Sequence, residues 1–547
     1  MDNRRLILLL VFSFSLVMLW DGWQKHNAPA TQLASAVKQI SDTPQPSMPS
    51  LAGVHNPSAP GLPVVTSNGN ATPVNPAVKP QTIKVETDLL AVEISTLGGD
   101  IVQLDLKKHH SSADKKRAFT LFEEQGRHTY MAQSGLIGEG LPNHRSLWRV
   151  VSTSFTLPTD KNELVVQLSS DLPTGEVIVK TYIFHRGSYK IDIQHTGLPK
   201  AGFAYYQFTR DGKSVEEQSN PMMVGSSSFT GPAVYTDAEK FQKVTFEKIK
   251  DNEAKFVSKA DNGWLAMIQH YFVAAWLPPG TVAREFYMRA LDNNLYSVGV
   301  ILPTSADGKS AISLYAGPQE IKNLKLIAPG LDLVVDYGWL TVIAAPLFWV
   351  LSVIHGLVGN WGWAIILLTV LIKLAFFPLS AASYKSMAKM RLVTPKLVKL
   401  KETYADDRMR LNQEMMALYK KENINPLGGC LPVLIQIPVF IALYWVLLGT
   451  VEMRNAPWIG WIQDLSAKDP YYILPLLMGV SMFIQTKLNP APPDPLQAKV
   501  MLMMPIVFTA MFLFFPAGLV LYWTVNNVLS IAQQWKITRT IELASKA

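Results

Sequence analysis

After position 339 the chain passes through one long apolar stretch after another, and two of them, Trp339 to Val358 and Trp361 to Ser380, are separated only by Gly359 and Asn360. Stretches of about 20 apolar residues match the hydrocarbon thickness of a bilayer, where a helix can satisfy its own backbone. If both crossed, the loop from 381 to 428 would come back to the outer side. That loop holds ten Lys or Arg against five Asp or Glu, and basic loops of this length stay in the cytoplasm. One stretch must therefore not cross. Trp339 to Val358 contains Pro346 and aromatic residues at Trp339, Phe348 and Trp349, which suits a helix lying in the outer interface; a short re-entrant hairpin is the other reading.

Composition fits two populations of residues. Hydrophobic residues make up 48% of the 547 and charged ones 17%, with a mean hydropathy of +0.14. The apolar share is crowded near the N-terminus and after 339, which excludes a simple soluble enzyme and points to an integral membrane protein with a large aqueous domain. The net charge of +8 is modest and does not argue for nucleic acid. Cys430 is the only cysteine, so no intrachain disulfide and no cysteine-based metal site is expected.

Leu6 to Trp20 follows Arg4 and Arg5 and ends in bulky residues where a cleavage site wants small ones. It reads as an uncleaved anchor, residues 1–26, with its N-terminus in the cytoplasm. Residues 27–80 hold ten prolines, three charges and no aromatic residue, the composition of a disordered tether. From 81 to 335 the apolar period becomes two, as in Leu90, Val92 and Ile94 and in Tyr189, Ile191 and Ile193, with turn signals at Gly98-Gly99, Asp171 to Gly175, Asp292 to Asn294 and Asp307-Gly308. A β-sandwich-like domain is expected outside the membrane. Gly308-Lys309-Ser310 mimics the end of a phosphate loop, but Pro303 stands where the first glycine is needed, so a hairpin turn is the better reading. His109-His110 reads as a solvated loop. No nucleophile elbow, zinc motif or carboxylate pair stands out, and no catalytic residue, metal or cofactor is expected.

Further spans are expected at about 430–449, 472–487, 500–515 and 519–535, making six crossings with both termini inside. Several have only about 15 clearly apolar residues, or about 23 Å of helix against a core of about 30 Å, which implies a thinned bilayer. The inner loop reads as a helical hairpin, Ala382 to Glu402 and Asp406 to Glu422, whose methionines (Met387, Met390, Met409, Met415, Met416) suit an ordinary helix seam or a soft surface for varied partners.

Within these spans some residues are too polar for lipid. Lys373 lies thirteen residues into the span that begins at Trp361, and a mid-bilayer lysine costs about 2.5–3.5 kcal/mol on insertion scales. It either snorkels to the inner surface or lines a hydrated cavity, and alone it favours neither. Thr369 precedes it by one turn; Gln436 lies in the next span; Tyr522 with Asn526, and Trp523 with Asn527, are i, i+4 pairs in the last. These groups could be interhelical glue or the lining of one hydrophilic pocket.

Asn425-Pro426-Leu427-Gly428-Gly429-Cys430, Gln436-Ile437-Pro438, Asp469-Pro470-Tyr471-Tyr472-Ile473-Leu474-Pro475 and Phe515-Pro516-Ala517-Gly518-Leu519-Val520-Leu521-Tyr522 occur in that order, and with them the whole chain resembles the YidC/Oxa/Alb family of membrane insertases in its Gram-negative form. The resemblance implies a polytopic α-helical inner-membrane protein with six transmembrane helices. It implies an interfacial helix at 336–358, and a five-helix insertase core at 359–547 with a cytoplasmic hairpin at 381–428. It also implies a periplasmic β-supersandwich. The function implied is that of an insertase and chaperone acting alone or with the Sec translocon on nascent and newly made membrane proteins, with ribosome and lipid bilayer as further partners. Client contact would fall to Thr369, Lys373, Gln436, Tyr522, Trp523, Asn526 and Asn527. The family's groove usually carries arginine where Lys373 stands, which keeps the charge and drops bidentate recognition of carboxylates. Two rivals remain: a small-solute transporter, which would want inverted repeats that the chain lacks, and a carbohydrate-active enzyme using the β domain.

Overall fold

The computed structural model describes residues 80–544 apart from 112–113, 115, 125–127, 199–200, 213–228, 336, 338–339, 405–406, 423–430 and 490–494. The expected N-terminal anchor, the tether up to residue 79 and the 425–430 motif lie outside the described residues.

The period-two pattern forms two nine-stranded antiparallel sheets. One runs from an edge at Thr82–Glu86 to another at Lys259–Ala260, the second from Lys240–Lys243 to Arg149–Val150. In the strand Leu90–Ser95, Leu90, Val92 and Ile94 are buried while their neighbours are half-exposed. Inward residues of both sheets meet in one apolar core, where Phe208 stacks on Trp276 at 5.3 Å between ring centroids. Trp264–Gln269 departs from alternation, with all six residues buried. Its two faces are both covered: Leu265 and Met267 join the sandwich core, whereas Trp264, Ala266 and Ile268 join the core of the helical region.

Gly308 sits in the tight connection between the strands Leu295–Pro303 and Ser310–Pro318 with φ +69°, and a Cβ there would stand 2.2 Å from the Leu198 carbonyl oxygen. The turn is as expected, but the hairpin is not: Leu295–Pro303 pairs in one sheet and Ser310–Pro318 in the other, so the turn carries the chain from sheet to sheet, a pairing that local turn signals do not specify. His109 corrects an expectation: the histidine pair ends the strand Ile101–His110, and the His109 ring packs edge-on against Phe272 at 5.4 Å. Burial, with Arg454 adding repulsion, lowers its pKa to about 4. The flanking lysines and serines suggested a loop, while the partner that orders the ring is 163 residues away.

Beyond the short helices Phe246–Lys250 and Ile321–Ile327 of the β domain, the helices described are α1 (Thr341–Val358), α2 (Trp361–Ala375), α3 (Phe377–Thr403), α4 (Arg408–Lys421), α5 (Leu431–Gly449), α6 (Ile473–Leu488), α7 (Pro495–Phe512) and α8 (Ala517–Ala544). Among the described residues α1 alone is long and apolar enough to cross a membrane by itself. Ala344, Phe348, Leu351 and Ile354 form its buried stripe, and the opposite face is exposed and also apolar, as at Val342 and Leu357. Gly359, with φ +67°, ends α1 by donating its N–H to the His355 carbonyl, and the Asn360 side chain caps α2 by accepting from Trp363 N–H at 3.2 Å.

The span expected to reach Ser380 stops at Ala375, and α2 and α3 meet at a 67° bend. Pro378 explains the break, because it sits in the first turn of α3, where its missing N–H costs nothing, and it could not continue α2. The last helix runs past the expected 535 to Ala544. In the hairpin, Met390 and Met415 pack on Val393 and Leu397 as a seam, while Met409 and Met416 are exposed.

The segment between α5 and α6 joins the two halves. Val451 enters the sandwich core, and the Arg454 guanidinium lies 5.1–5.5 Å from the rings of Phe119, Tyr271 and Phe272.

Candidate functional site

Four local devices set the helices that carry the polar residues. Asn360 donates to the carbonyls of Pro457 and Trp458 at 3.1 and 3.2 Å, tying the start of α2 to the α5–α6 connection. Gly362 lies directly under Trp458, where a Cβ would come within 2.1 Å of the indole. Asp469, 1% exposed, accepts from the backbone N–H of Tyr471 and Leu474 and from the Trp461 indole at 2.7–3.1 Å, so the Asp469-Pro470-Tyr471 motif organises the entry to α6. Ala517 and Gly518 donate to Ala467 and Leu465, which fixes the start of α8 on that same connection.

On this frame Lys373, two residues before the end of α2, donates a 2.7 Å hydrogen bond to the Ser530 hydroxyl of α8. Ser530 in turn donates to the Asn526 carbonyl at 2.7 Å. The Asn526 side-chain oxygen accepts from Gln436 of α5, whose amide also reaches the Tyr522 hydroxyl at 3.5 Å. Lys373, Ser530, Asn526, Gln436 and Tyr522 thus form one polar chain across three helices. Tyr384 of α3, which sequence reasoning missed, hydrogen-bonds Ser530 from the other side. Its aromatic ring in a basic hairpin carried no signal that it would face a membrane helix.

The other expected residues are placed differently. Thr369 is buried and gives its hydroxyl to the Ile365 carbonyl one turn back, a local bond that takes it out of the polar chain. Asn527 turns away from Asn526 and donates to Ser481 of α6 at 3.1 Å, because consecutive helical residues point about 100° apart. Trp523 packs edge-on against Phe440 at 4.5 Å and near Phe512 at 5.5 Å, and its indole N–H is buried with no partner among the described residues. Tyr522 is 1% exposed.

Beside Lys373 a cavity of about 450 Å³ opens between the end of α2, the start of α3 and the second half of α8. The polar chain offers one cation, Lys373, and a row of neutral donors and acceptors within an otherwise apolar helix cluster, and Lys385 and Lys536 also line the cavity beside it. Such a site can solvate a polar segment.

Residues 353–545 match the family described as 60Kd inner membrane protein, and residues 82–350 match the family described as YidC periplasmic domain. The chain is 57% identical to the membrane protein insertase YidC of Aromatoleum aromaticum, covering 99% of this chain and 98% of that one. It is 49% identical to the protein of the same name from Nitrosomonas europaea over 98% of this chain and 91% of the other. Among solved structures it is similar to an active YidC insertase with its first transmembrane domain resolved, at 18% identity and a TM-score of 0.41 over 83% of this chain and 92% of that one.

Proposed function

The chain belongs to the YidC family of membrane protein insertases, and from that premise we propose that the polar chain from Lys373 to Tyr522 is the path along which a client's polar segment is taken into the membrane. The protein is a membrane protein insertase of the inner membrane acting on membrane protein clients, and its β-sandwich is the periplasmic domain. The observation that carries the finer reading is the run of side-chain hydrogen bonds joining α2, α8 and α5 inside an apolar helix cluster.

Burying a client helix of about 20 apolar residues is downhill in lipid, so an insertase has only to lower the barrier for polar flanks. Each charged residue of such a flank costs about 2.5–3.5 kcal/mol at mid-bilayer. Lys373 attracts acidic residues, and Gln436, Asn526 and Ser530 replace their water. Short helices help: α2 has 15 residues and α6 has 16, about 22–24 Å at 1.5 Å per residue. Trp523 offers the exposed part of its ring to the client helix as it leaves sideways. No nucleotide or cofactor enters the reading. The loop charges support six crossings with both termini and the hairpin in the cytoplasm and α1 at the outer surface. The basic hairpin is the surface offered to the ribosome.

Photocrosslinkers at Gln436, Trp523 and lipid-facing Val342 test this with stalled nascent clients. Crosslinks at Gln436 and Trp523 but not Val342 are expected. Equal capture at all three positions would mean that clients do not use the polar chain.

A further inference from the structure

Leu367, Leu371 and Leu374 are exposed at i, i+4 and i+7, so α2 presents an apolar stripe that no other element covers. The stripe runs into the 450 Å³ cavity at the α2–α3 bend, whose walls include Leu374, Phe377, Leu529 and Ile541. At its rim stand Lys385 and Lys536, both exposed and, among the described residues, in no ion pair; no Asp or Glu lines the cavity. A lipid-facing stripe that leads into an apolar slot under two free cations has the chemistry of a phospholipid with an anionic headgroup. One acyl chain of such a lipid would fill the slot and its phosphate would meet the two ammonium groups.

We infer that this cavity is a binding site for an anionic phospholipid, held where α2 turns into the hairpin and α8 leaves the helix cluster. Its volume lies in the range of about 300–1,000 Å³ of ligand pockets. Lys373 also lines the cavity, with its ammonium turned to Ser530, so a bound lipid would stabilise the bend while standing against one end of the polar chain.

The test uses the full-length protein in neutral detergent, with phosphatidylglycerol or phosphatidylcholine of the same acyl chains added and retention read by native mass spectrometry. Phosphatidylglycerol should be retained preferentially. The double variant Lys385→Gln/Lys536→Gln should weaken it by about 30-fold, from about fivefold per lysine near a headgroup. Ala532→Trp, which fills the slot and keeps both lysines, should weaken both lipids. Lys389→Gln/Lys399→Gln, on the same hairpin away from the cavity, should change neither. Equal retention of the two lipids by the wild type, equal loss in the two lysine pairs, or displacement of phosphatidylglycerol by excess inorganic phosphate would each overturn the site. All variants keep Lys373, so a failure here leaves the reading of the polar chain untouched.

Discussion

The Lys373 ammonium and the Ser530 hydroxyl, 157 residues apart, share a 2.7 Å hydrogen bond. A lysine that merely reached for the inner surface would not be held by a buried hydroxyl that also receives Tyr384.

That geometry separates an electrostatic role from a tolerated charge. Lys373→Arg should keep insertion of clients with acidic translocated segments, and Lys373→Glu should abolish it while sparing neutral clients. Ser530→Ala, which removes the acceptor, should cost about 1–3 kcal/mol of stability and lower acidic-client insertion less than the charge reversal does. Protease protection of client tails in vesicles, at matched amounts of folded protein and two ionic strengths, is the measurement. Equal insertion of acidic clients by the Glu, Leu and wild-type proteins would remove charge from the mechanism.

Deep in the β domain, Lys180 is fully buried 3.9 Å from the Asp100 carboxylate and donates to the Gly98 carbonyl at 2.9 Å. Burial pushes the Asp100 carboxyl up and the Lys180 ammonium down, each partner opposing that push on the other. Lys180→Met should destabilise the domain by about 3–5 kcal/mol, because it strands a buried carboxyl. Adding Asp100→Asn should recover much of the loss in thermal melts of the full chain. A single variant that melts like the wild type would show the pair to be dispensable.

Glu452, beside the Arg454 contact, has a buried carboxyl oxygen without a partner among the described residues, and burial raises its pKa to about 7. Since the folded value lies above the unfolded 4.5, protonation favours the fold. Its contribution is complete below about pH 4.5 and is lost as pH rises to about 7, a change of about 3 kcal/mol at most. His109 works in the opposite direction, losing stability as pH falls from 6.5 to about 4. Thermal midpoints of Glu452→Gln against wild type isolate the glutamate: the variant should gain most above pH 7 and little at pH 5. A pH-independent difference would count against this titration.

Topology can be checked on described residues in a Cys430→Ser background. Single cysteines at Lys399 on the hairpin and Thr174 on the β domain should react with impermeant reagent from opposite sides, Lys399 from the cytoplasm. Labelling of both from one side would break the six-span arrangement.

The sequence by itself determined the division of labour along the chain. Side-chain period and net loop charge are local quantities, so the strand pattern of residues such as Leu90, Val92 and Ile94, the basic hairpin and the glycine turn at 308 were legible without coordinates. Family membership was legible as well, because short motifs such as Asp469-Pro470-Tyr471 carry their backbone roles within a few residues. Lys373 and Gln436 stood out because an ionisable or amide side chain in an apolar run is expensive wherever the run ends up.

Only the tertiary structure decided which of those polar groups share a site. Asn526 and Asn527 look equivalent in sequence, yet the pitch of α8 sends one to Gln436 on α5 and the other to Ser481 on α6. Thr369 shares a helical face with Lys373, but its hydroxyl finds a nearer acceptor in its own backbone. Tyr384 and Arg454 gave no warning, since each acts on a partner more than a hundred residues away across an interface between separate elements. Hydrogen bonds and ring contacts act over a few ångströms in space, and the chain order records that proximity only where a turn or a helical period creates it.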